Sequence, residues 1–269
     1  MEHKFLTEEN ILAEIKGSWA GKRVKVFSET DSTNTQCRKL AAEGWPEGTL
    51  VVSEYQRAGK GRRGRAWVSP AGTGIWMSLL LRPELPPQKV SMVTLIAAMA
   101  VEKGIRLETG LDSQIKWPND LVIGQKKICG ILTEMQTQKE AAEHVVVGMG
   151  INANIREFPE EVRDSATSLY QVKGEETDRE RLIGGVMAAF EEYWRIFLET
   201  GDLRALKEEY NEKLINRERQ VQILEPEGGY TGLCRGIGPE GELLVVLPDG
   251  QVKAVFSGEV SVRGVYGYV

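Results

Sequence analysis

The sequence predicts an α+β protein in which helices flank a mixed β-sheet and a small all-β module follows. Two observations predict this architecture. Strand-like and helix-like segments alternate over the first 215 residues, which is typical of a mixed sheet covered by helices. From residue 216 onward, short alternating strands are separated by Gly- and Pro-containing turns, which is typical of a small β-barrel. We therefore predict a main domain at 1–215 and a second domain at 216–269.

The helices are predicted from apolar periodicity and from capping residues. Thr33 and Gln36 have the spacing of a capping box. Residues 90–105 are apolar on nearly every side, which indicates a buried helix. Asp178 and Asp202 are suited to cap two later helices. The predicted helices are 7–16, 33–43, 90–105, 179–200 and 203–215.

The strands are predicted from runs of β-branched and apolar residues bounded by turn residues. Gly124 and Gln125 separate two such runs and predict a hairpin turn. Residues 155–177 are polar and are predicted to be irregular. The predicted strands of the main domain are 23–30, 49–56, 75–83, 113–117, 121–124, 126–135 and 144–154. Those of the second domain are 219–224, 230–238, 242–247, 251–256 and 259–264.

Charge and composition exclude several classes of function. The 269 residues include 34 Lys and Arg against 39 Asp and Glu, and a net charge of −5 disfavours general binding to nucleic acids or anionic membranes. His3 and His144 are the only histidines, which nearly excludes a multi-histidine metal site. Cys37, Cys129 and Cys234 form no CxxC motif and suit a reducing compartment. With no signal segment and no long apolar run, we expect a cytoplasmic protein without a membrane partner.

A glycine-rich segment at 58–67, here called the basic loop, carries unusual chemistry for an acidic chain. No acidic residue occurs between Glu54 and Glu84, and the cations concentrated there are Arg57, Lys60, Arg62, Arg63 and Arg65. Backbone N–H groups and Arg side chains together can hold an anion. The loop lacks the Walker A pattern and opens no apolar helix, which disfavours a Rossmann site. A solvated surface loop or a nucleic-acid patch remains the alternative interpretation.

Polar residues also interrupt three other apolar patterns. Lys116 ends a strand before Pro118 and can place a fixed positive charge in a cleft. Asn119 and Asp120 are either turn formers or ligands for a nucleotide or Mg²⁺. The segment 31–34 is either a helix cap or a set of polar contacts to a ligand. The segment 148–154 is either a glycine-rich turn or a second set of such contacts. Lys126 and Lys127 are interpreted as solvated hairpin charges.

Taken in order, these motifs closely resemble the biotin–protein ligase (biotin–[acetyl-CoA-carboxylase] ligase) family. A final segment, Gly258-Glu259-Val260-Ser261, resembles the end of the small SH3-like barrel in that family. The motifs are Asp31-Ser32-Thr33-Asn34, Gln56 with Gly59-Lys60-Gly61-Arg62-Arg63-Gly64-Arg65-x-Trp67, Lys116-Trp117-Pro118-Asn119-Asp120, Gly130-Ile131-Leu132-x-Glu134 and Gly148-x-Gly150-Ile151-Asn152-x-Asn154.

The resemblance implies a class II synthetase-like catalytic domain and a two-step reaction. Biotin and Mg-ATP would give biotinyl-5′-AMP and pyrophosphate, and a lysine of a biotin carboxyl carrier protein would then accept the biotinyl group. About 22 residues precede the first predicted strand, so we expect a ligase-only form without an N-terminal DNA-binding domain and without a specific nucleic-acid partner. The resemblance leaves a homodimer through the central sheet open.

The resemblance also implies roles for individual residues. Lys116 and Arg62 would be catalytic. Lys60 stands where Arg is usual, which keeps the charge but loses the bidentate fork. The implied biotin contacts are Ser32, Thr33, Asn34, Gln56, Lys60, Gly61, Arg62 and Lys116. The implied ATP and adenylate contacts are Arg63, Arg65, Trp67, Asn119, Asn152 and Ala153. The alternative for Arg63 and Arg65 is that they supply a positive electrostatic field without touching the substrate. Neither residues nor resemblance identify the Mg²⁺ ligands.

Two other functions stay open from the sequence. The first is a lipoate or octanoate ligase, a related class that the GRRGR and KWPND motifs disfavour. The second is a non-catalytic nucleic-acid-binding module that uses the basic loop, which the acidic net charge disfavours.

Overall fold

The computed structural model describes residues 5–138, 141–225, 228–258 and 261–264. Within them, seven strands form the mixed sheet of the main domain, in the order β1-β2-β3-β7-β6-β5-β4. The strands are β1 Arg23–Phe27, β2 Thr49–Ser53, β3 Ile75–Leu81, β4 Gln114–Lys116, β5 Asp120–Ile123, β6 Lys126–Gln138 and β7 Ala141–Ile151. β1 pairs with β2 in parallel, and the other neighbours are antiparallel. The predicted mixed sheet is therefore confirmed.

Helices cover both faces of this sheet. They are α1 Glu8–Glu14, α2 Thr33–Ala42, α3 Val90–Thr109, α4 Glu160–Arg163, α5 Leu169–Lys173, α6 Arg179–Thr200 and α7 Lys207–Lys213. Successive side chains of a strand point to opposite faces. Val51, Leu80 and Val146 accordingly pack beneath α2, whereas their neighbours Leu50 and Leu79 belong to the large core that contains α3 and α6.

The long helices confirm their predicted signals, but two shorter predictions are wrong. Asp178 accepts a hydrogen bond from the Arg181 N–H, and Gly201 ends α6 in the left-handed region at φ 72°. Thr33 forms no capping box, because Ser32 is the N-cap of α2 and the Thr33 hydroxyl donates to the Gln56 side-chain oxygen instead. Asp202 caps no helix, since its carboxylate accepts from Arg204 and α7 begins four residues beyond the predicted start.

The segment predicted to be irregular is partly helical. Residues 155–177 contain both α4 and α5, and the Ser168 hydroxyl caps α5 by accepting from the Gln171 N–H. The Gly124–Gln125 hairpin turn is confirmed, with φ values of 55° and 68° at its two residues.

The C-terminal strands form a second, antiparallel sheet. They are β8 Gln220–Glu225, β9 Gly228–Ile237, β10 Leu243–Val246, β11 Val252–Val255 and β12 Ser261–Gly264, in the order β11-β10-β9-β8-β12. Among the described residues β11 and β12 are not paired with each other, so barrel closure stays a prediction. Glu259 and Val260 of the predicted terminal motif lie outside the described residues, as does His3.

The second sheet packs directly on the main domain. The indole N–H of Trp117 donates to the Gly241 carbonyl at 3.0 Å, and the Asn211 side chain accepts from the Ile237 N–H at 2.8 Å. These contacts join the second sheet to the segment that follows β4 and to α7. In the described part of the chain, no helix combines the length and the apolarity needed to cross a membrane.

Candidate active site

Two adjoining cavities lie between the central sheet and the basic loop, and residues of the second sheet line the larger of them. The smaller one, about 50 Å³, is lined by polar side chains from α2 and from the segment after β2, and is called the polar cavity. The larger one, about 280 Å³, is lined by six Lys and Arg side chains and is called the cationic cavity. The residues that line both cavities are Gly61, Arg62, Trp67, Asn119 and Lys127.

A chain of hydrogen bonds fixes the side chains of the polar cavity. The Gln56 carbonyl oxygen accepts from the Thr33 N–H at 2.8 Å and from the Thr33 hydroxyl at 3.2 Å, while the Gln56 amide donates to Ser69. The Ser78 hydroxyl lies 2.8 Å from the Thr33 hydroxyl and 2.7 Å from the Asn34 carbonyl oxygen. All five residues are buried, so this network holds each group in one orientation.

The network ends on Glu134 of β6. Its carboxylate accepts from the Asn34 amide at 2.7 Å and pairs with Arg38 at 3.5 Å. Gly148 of β7 makes room for this arrangement, because a Cβ atom there would lie 2.1 Å from the Asn34 carbonyl oxygen.

Two further glycines seat an aromatic side chain. Gly130 of β6 and Gly150 of β7 are paired across the sheet, and Cβ atoms there would lie 2.8 Å and 2.7 Å from the Trp67 indole. The indole also meets Trp76 edge to face at 6.5 Å. The buried indole N–H of Trp67 has no protein partner among the described residues, so it is available to a ligand.

The basic loop is ordered by its own backbone. The Gly61 N–H donates to the Arg65 carbonyl at 2.7 Å, and the Trp67 N–H donates to the Gly59 carbonyl at 2.8 Å. A single turn of 3₁₀ helix spans Arg62–Gly64. Lys60 is exposed and donates to the Thr35 hydroxyl at 3.0 Å.

Arg62 connects this loop to the rest of the molecule. Its guanidinium donates to the Asn119 side chain and to the carbonyl of Gly258, which lies between β11 and β12, both at 2.8 Å. Burial lowers the pKa of Arg62, and the neighbouring Arg63 and Arg65 act in the same direction.

Lys116 is buried at the end of β4 and faces the cationic cavity. Burial lowers its pKa to about 8, although the Asp120 carboxylate opposes that shift. The charges of Lys127, Arg263 and Arg65 contribute to the same lowering of the Lys116 pKa. A lysine in such an environment favours any anion that enters, because the anion restores the stability of the charged form.

Known proteins resemble both halves of the chain. Residues 26–152 match the Biotin/lipoate A/B protein ligase family and residues 218–263 match the Biotin protein ligase C terminal domain. The bifunctional ligase/repressor BirA of Bacillus spizizenii is 39% identical over 259 residues, covering 95% of this chain and 78% of the relative. This chain belongs to the biotin protein ligase family.

Two other similarities extend over most of the molecule. The biotin–[acetyl-CoA-carboxylase] ligase of Mycobacterium tuberculosis is 30% identical over 266 residues, covering 95% of each chain. The structure of the biotin protein ligase from Aquifex aeolicus in complex with biotin and ATP superimposes with a TM-score of 0.80 at 31% identity, covering 90% of this chain and 99% of that one.

The structure brings most of the predicted biotin protein ligase residues together. The polar cavity collects Ser32, Thr33, Asn34, Gln56, Lys60, Gly61 and Arg62. The cationic cavity collects Arg63, Arg65, Trp67, Lys116, Asn119 and Asn152. Ala153 is different, because it is completely buried in the core and lines neither cavity.

Several cavity residues were missed by sequence reasoning. Lys127 lines both cavities and is not a freely solvated hairpin charge, so that interpretation is wrong. Consecutive strand residues face opposite sides, so one lysine of the pair 126–127 had to face the covered side. Phe158, Val162 and Arg263 also line the cationic cavity, but no local sequence signal connects these distant segments to it.

Proposed function

We propose that this chain activates biotin with Mg-ATP as biotinyl-5′-AMP and transfers the biotinyl group to one lysine of a biotin carboxyl carrier protein. The observation that carries this proposal is the pair of adjoining cavities, one polar and one cationic, that share Arg62 and Lys127. A carboxylic acid and a nucleotide placed in the two cavities would meet at these cations. The complex of the Aquifex relative with biotin and ATP supports the same choice of substrates.

We assign the polar cavity to biotin. Its buried hydroxyl and amide groups match the polar ring of biotin, while Trp67, Trp76 and Met77 supply apolar walls for the ring and the aliphatic chain. Pockets of this kind use a few fixed polar groups for orientation and apolar area for affinity. Lys60, which is exposed and bonded to the Thr35 hydroxyl, adds a positive charge to the wall of this cavity.

We assign the cationic cavity to the nucleotide. Arg63, Arg65 and Lys116 provide the positive charge that a triphosphate requires. Phe158 and Val162 line the same cavity and can pack against the adenine base. Asn152 is held there by a hydrogen bond from its amide to the Thr167 carbonyl at 3.0 Å.

The first step joins two anions, so its main difficulty is electrostatic. A biotin carboxylate oxygen attacks the α-phosphorus, and the bond to the bridging oxygen breaks, so that pyrophosphate leaves with the electron pair. Two unit charges 4 Å apart repel by about 4 kcal/mol at an effective dielectric near 20. Lys116 and Arg62 offset this repulsion and stabilise the charge that develops in the transition state. In the second step the neutral amine of the carrier lysine attacks the biotinyl carbonyl, the bond from that carbonyl carbon to the phosphate oxygen breaks, AMP leaves with the electron pair, and the amine nitrogen releases one proton to the solvent.

Magnesium fits this site as part of the Mg-ATP substrate rather than as a resident ion. Among the described residues, Asp120 is the one carboxylate that lines the two cavities, and it already pairs with Lys127 at 2.7 Å. Within the described ranges, no three His, Cys, Asp or Glu side chains cluster as metal ligands. Mg²⁺ commonly binds through substrate phosphates with few protein ligands.

Several finer features belong to the same proposal. We infer a catalytic domain at 1–215 and an SH3-like barrel at 216–269, a cytoplasmic location and no specific nucleic-acid partner. The antiparallel second sheet and the acidic net charge support these inferences. A homodimer through the central sheet is also consistent with the family.

Pyrophosphate–ATP exchange tests the proposal directly. Radiolabelled pyrophosphate should enter ATP when the enzyme, Mg²⁺ and biotin are present. Addition of a carrier domain should raise the intact mass of the carrier by one biotinyl group. If lipoate supports exchange and biotin does not, the substrate of this chain is lipoate rather than biotin. Salt-dependent nucleic-acid binding without any exchange would refute an enzymatic role.

A further inference from the structure

Lys127 is the second cation, besides Arg62, that lines both cavities. It lies near the start of β6, and its backbone is fixed on both sides: its N–H donates to the Ser165 carbonyl and its carbonyl accepts from the Thr167 N–H. The side chain is 24% exposed, unlike that of a freely solvated surface lysine. A residue at this position faces the place where a ligand in one cavity would join a ligand in the other.

The described surroundings of the Lys127 ammonium group account for two of its N–H donors. The Lys127 ammonium lies 2.7 Å from an Asp120 carboxylate oxygen and 4.9 Å from the centre of the Trp67 ring. An ammonium group has three N–H donors. Among the described residues, the Asp120 carboxylate and the face of the Trp67 ring account for two of these donors, and the third is open to a group at the junction of the cavities.

Gly130 allows this placement. A Cβ atom at Gly130 would lie 3.1 Å from the Lys127 ammonium and 2.8 Å from the Trp67 ring. Any side chain there would therefore press on both the cation and the indole. The basic loop, Lys127 and β6 can approach one another closely because Gly130 has no side chain.

We propose that Lys127 is a catalytic residue of the adenylation step, whose ammonium group contacts the biotin carboxylate and the α-phosphate as the bond between them forms. This inference rests on the proposed function. Lys127 remains protonated throughout: the carboxylate oxygen forms the new bond to phosphorus, pyrophosphate departs with the electrons of the broken bond, and no proton moves. The charge of Lys127 is fixed in place by Asp120 before the substrates arrive, which is the preorganisation that makes such a donor effective.

The test is pyrophosphate–ATP exchange by Lys127→Met, with Lys127→Arg and Lys126→Met beside it. Lys127→Met keeps the length of the side chain and removes the charge, so kcat should fall by about 10²-fold, while KM for biotin changes by less than about threefold. Lys127→Arg keeps the charge and should recover most of kcat. Lys126 is exposed on the same hairpin and donates to the Arg163 carbonyl, so Lys126→Met should leave exchange within about twofold of wild type.

The contrary results are distinct. An unchanged kcat in Lys127→Met, or a change in KM for biotin alone, would overturn the inference, because Lys127 would then only support the Trp67 side of the polar cavity. Thermal unfolding is measured on each variant, and Lys127→Gln, which keeps a hydrogen bond to Asp120, replaces Lys127→Met if that variant is unfolded. Absence of exchange in the wild-type enzyme would refute the proposed function instead.

Discussion

The polar and cationic cavities share residues but are built by different means. In the polar cavity, Thr33, Gln56 and Ser78 are buried and hydrogen-bonded to one another, so packing fixes their positions before any ligand arrives. In the cationic cavity, Arg63 is exposed with φ 57°, and Arg263 arrives from the second sheet. Like charges gathered there repel one another until an anion enters.

This difference suits the two proposed substrates. Biotin has a largely neutral ring, which is selected by shape and by fixed hydrogen bonds. ATP is a polyanion, for which a positive field supplies attraction without close steric definition. We therefore expect substitutions in the cationic cavity to affect rates and adenylate retention, and substitutions in the polar cavity to affect KM for biotin.

The largest effect is expected from Lys116→Ala. Loss of this buried charge should lower pyrophosphate–ATP exchange by about 10²- to 10³-fold, because repulsion between the two substrates is no longer offset. The variant should remain folded, since a buried lysine with a lowered pKa is costly to the folded state. Exchange kinetics and thermal unfolding check both statements. Wild-type exchange in this variant would remove Lys116 from the mechanism.

Arg62→Gly should have the next largest effect. The guanidinium donates to Asn119 and to the Gly258 carbonyl and lines both cavities, so its loss opens the enclosure around biotinyl-5′-AMP. Hydrogen bonds from a charged group contribute about 1.5–3 kcal/mol, which predicts dissociation of the adenylate about 10- to 100-fold faster. Rapid filtration measures the rate, and biotinylation of a bystander protein should rise. An unchanged dissociation rate would contradict the role of Arg62 as a closing contact.

The pH dependence should distinguish the cationic cavity from the polar one. Lys116 has a pKa of about 8 in the folded protein, so its charged form is present below that pH and is lost as pH rises through it. kcat/KM for ATP in the exchange reaction reports the free enzyme and should fall by about tenfold per pH unit above pH 8. The same profile for biotin binding in the absence of ATP should be flatter. A profile for ATP that stays level to pH 10 would show that the charge of Lys116 is not required.

Gly148→Ala should affect the polar cavity alone. The new Cβ would lie 2.1 Å from the Asn34 carbonyl oxygen and would force Asn34 away from Ser78 and Glu134. Overpacking costs about 1–3 kcal/mol, so KM for biotin should rise by about 5- to 100-fold while KM for ATP changes little. Gly185→Ala is the matched control, because the nearest atom to its Cβ is 3.8 Å away. Equal increases in both KM values would contradict the separation of the two cavities.

The same contrast explains what the sequence could predict. Capping and periodicity are local signals, so Asp178 and Gly201 correctly mark the ends of α6. The motifs around Lys116 and the basic loop are also local, and they identify much of both cavities. The solvated interpretation of Lys127 is wrong because strand alternation places one lysine of the pair 126–127 on the covered side, and only the register of β6 against the basic loop shows which one. Asp202 was misread because an aspartate can bond the backbone two residues later as readily as it can begin a helix.

Contacts between segments that are distant along the chain could not be predicted from the sequence. Phe158 and Arg263 reach the cationic cavity only because residues 155–166 fold back over β6 and because the second sheet packs beside β4. The cavity built by packing within one domain was therefore more predictable than the cavity assembled from separate segments. Charge alone did not indicate which arginines would converge.

The smallest effect is expected from Arg38→Gln, at the outer end of the polar network. Arg38 pairs with Glu134 at 3.5 Å, but its side chain is 42% exposed and that of Glu134 is 26% exposed. Exposed pairs contribute about 0–1 kcal/mol and are screened by salt, so KM for biotin should rise by less than about threefold, and less still at high ionic strength. Glu134→Ala should raise it more, because the Asn34 amide then loses its charged acceptor at 2.7 Å and keeps the longer hydrogen bond to the Leu132 carbonyl at 3.2 Å. If Arg38→Gln matched Glu134→Ala, the orientation of Asn34 would depend on the surface charge rather than on the buried hydrogen bond, and the polar cavity would resemble the cationic one.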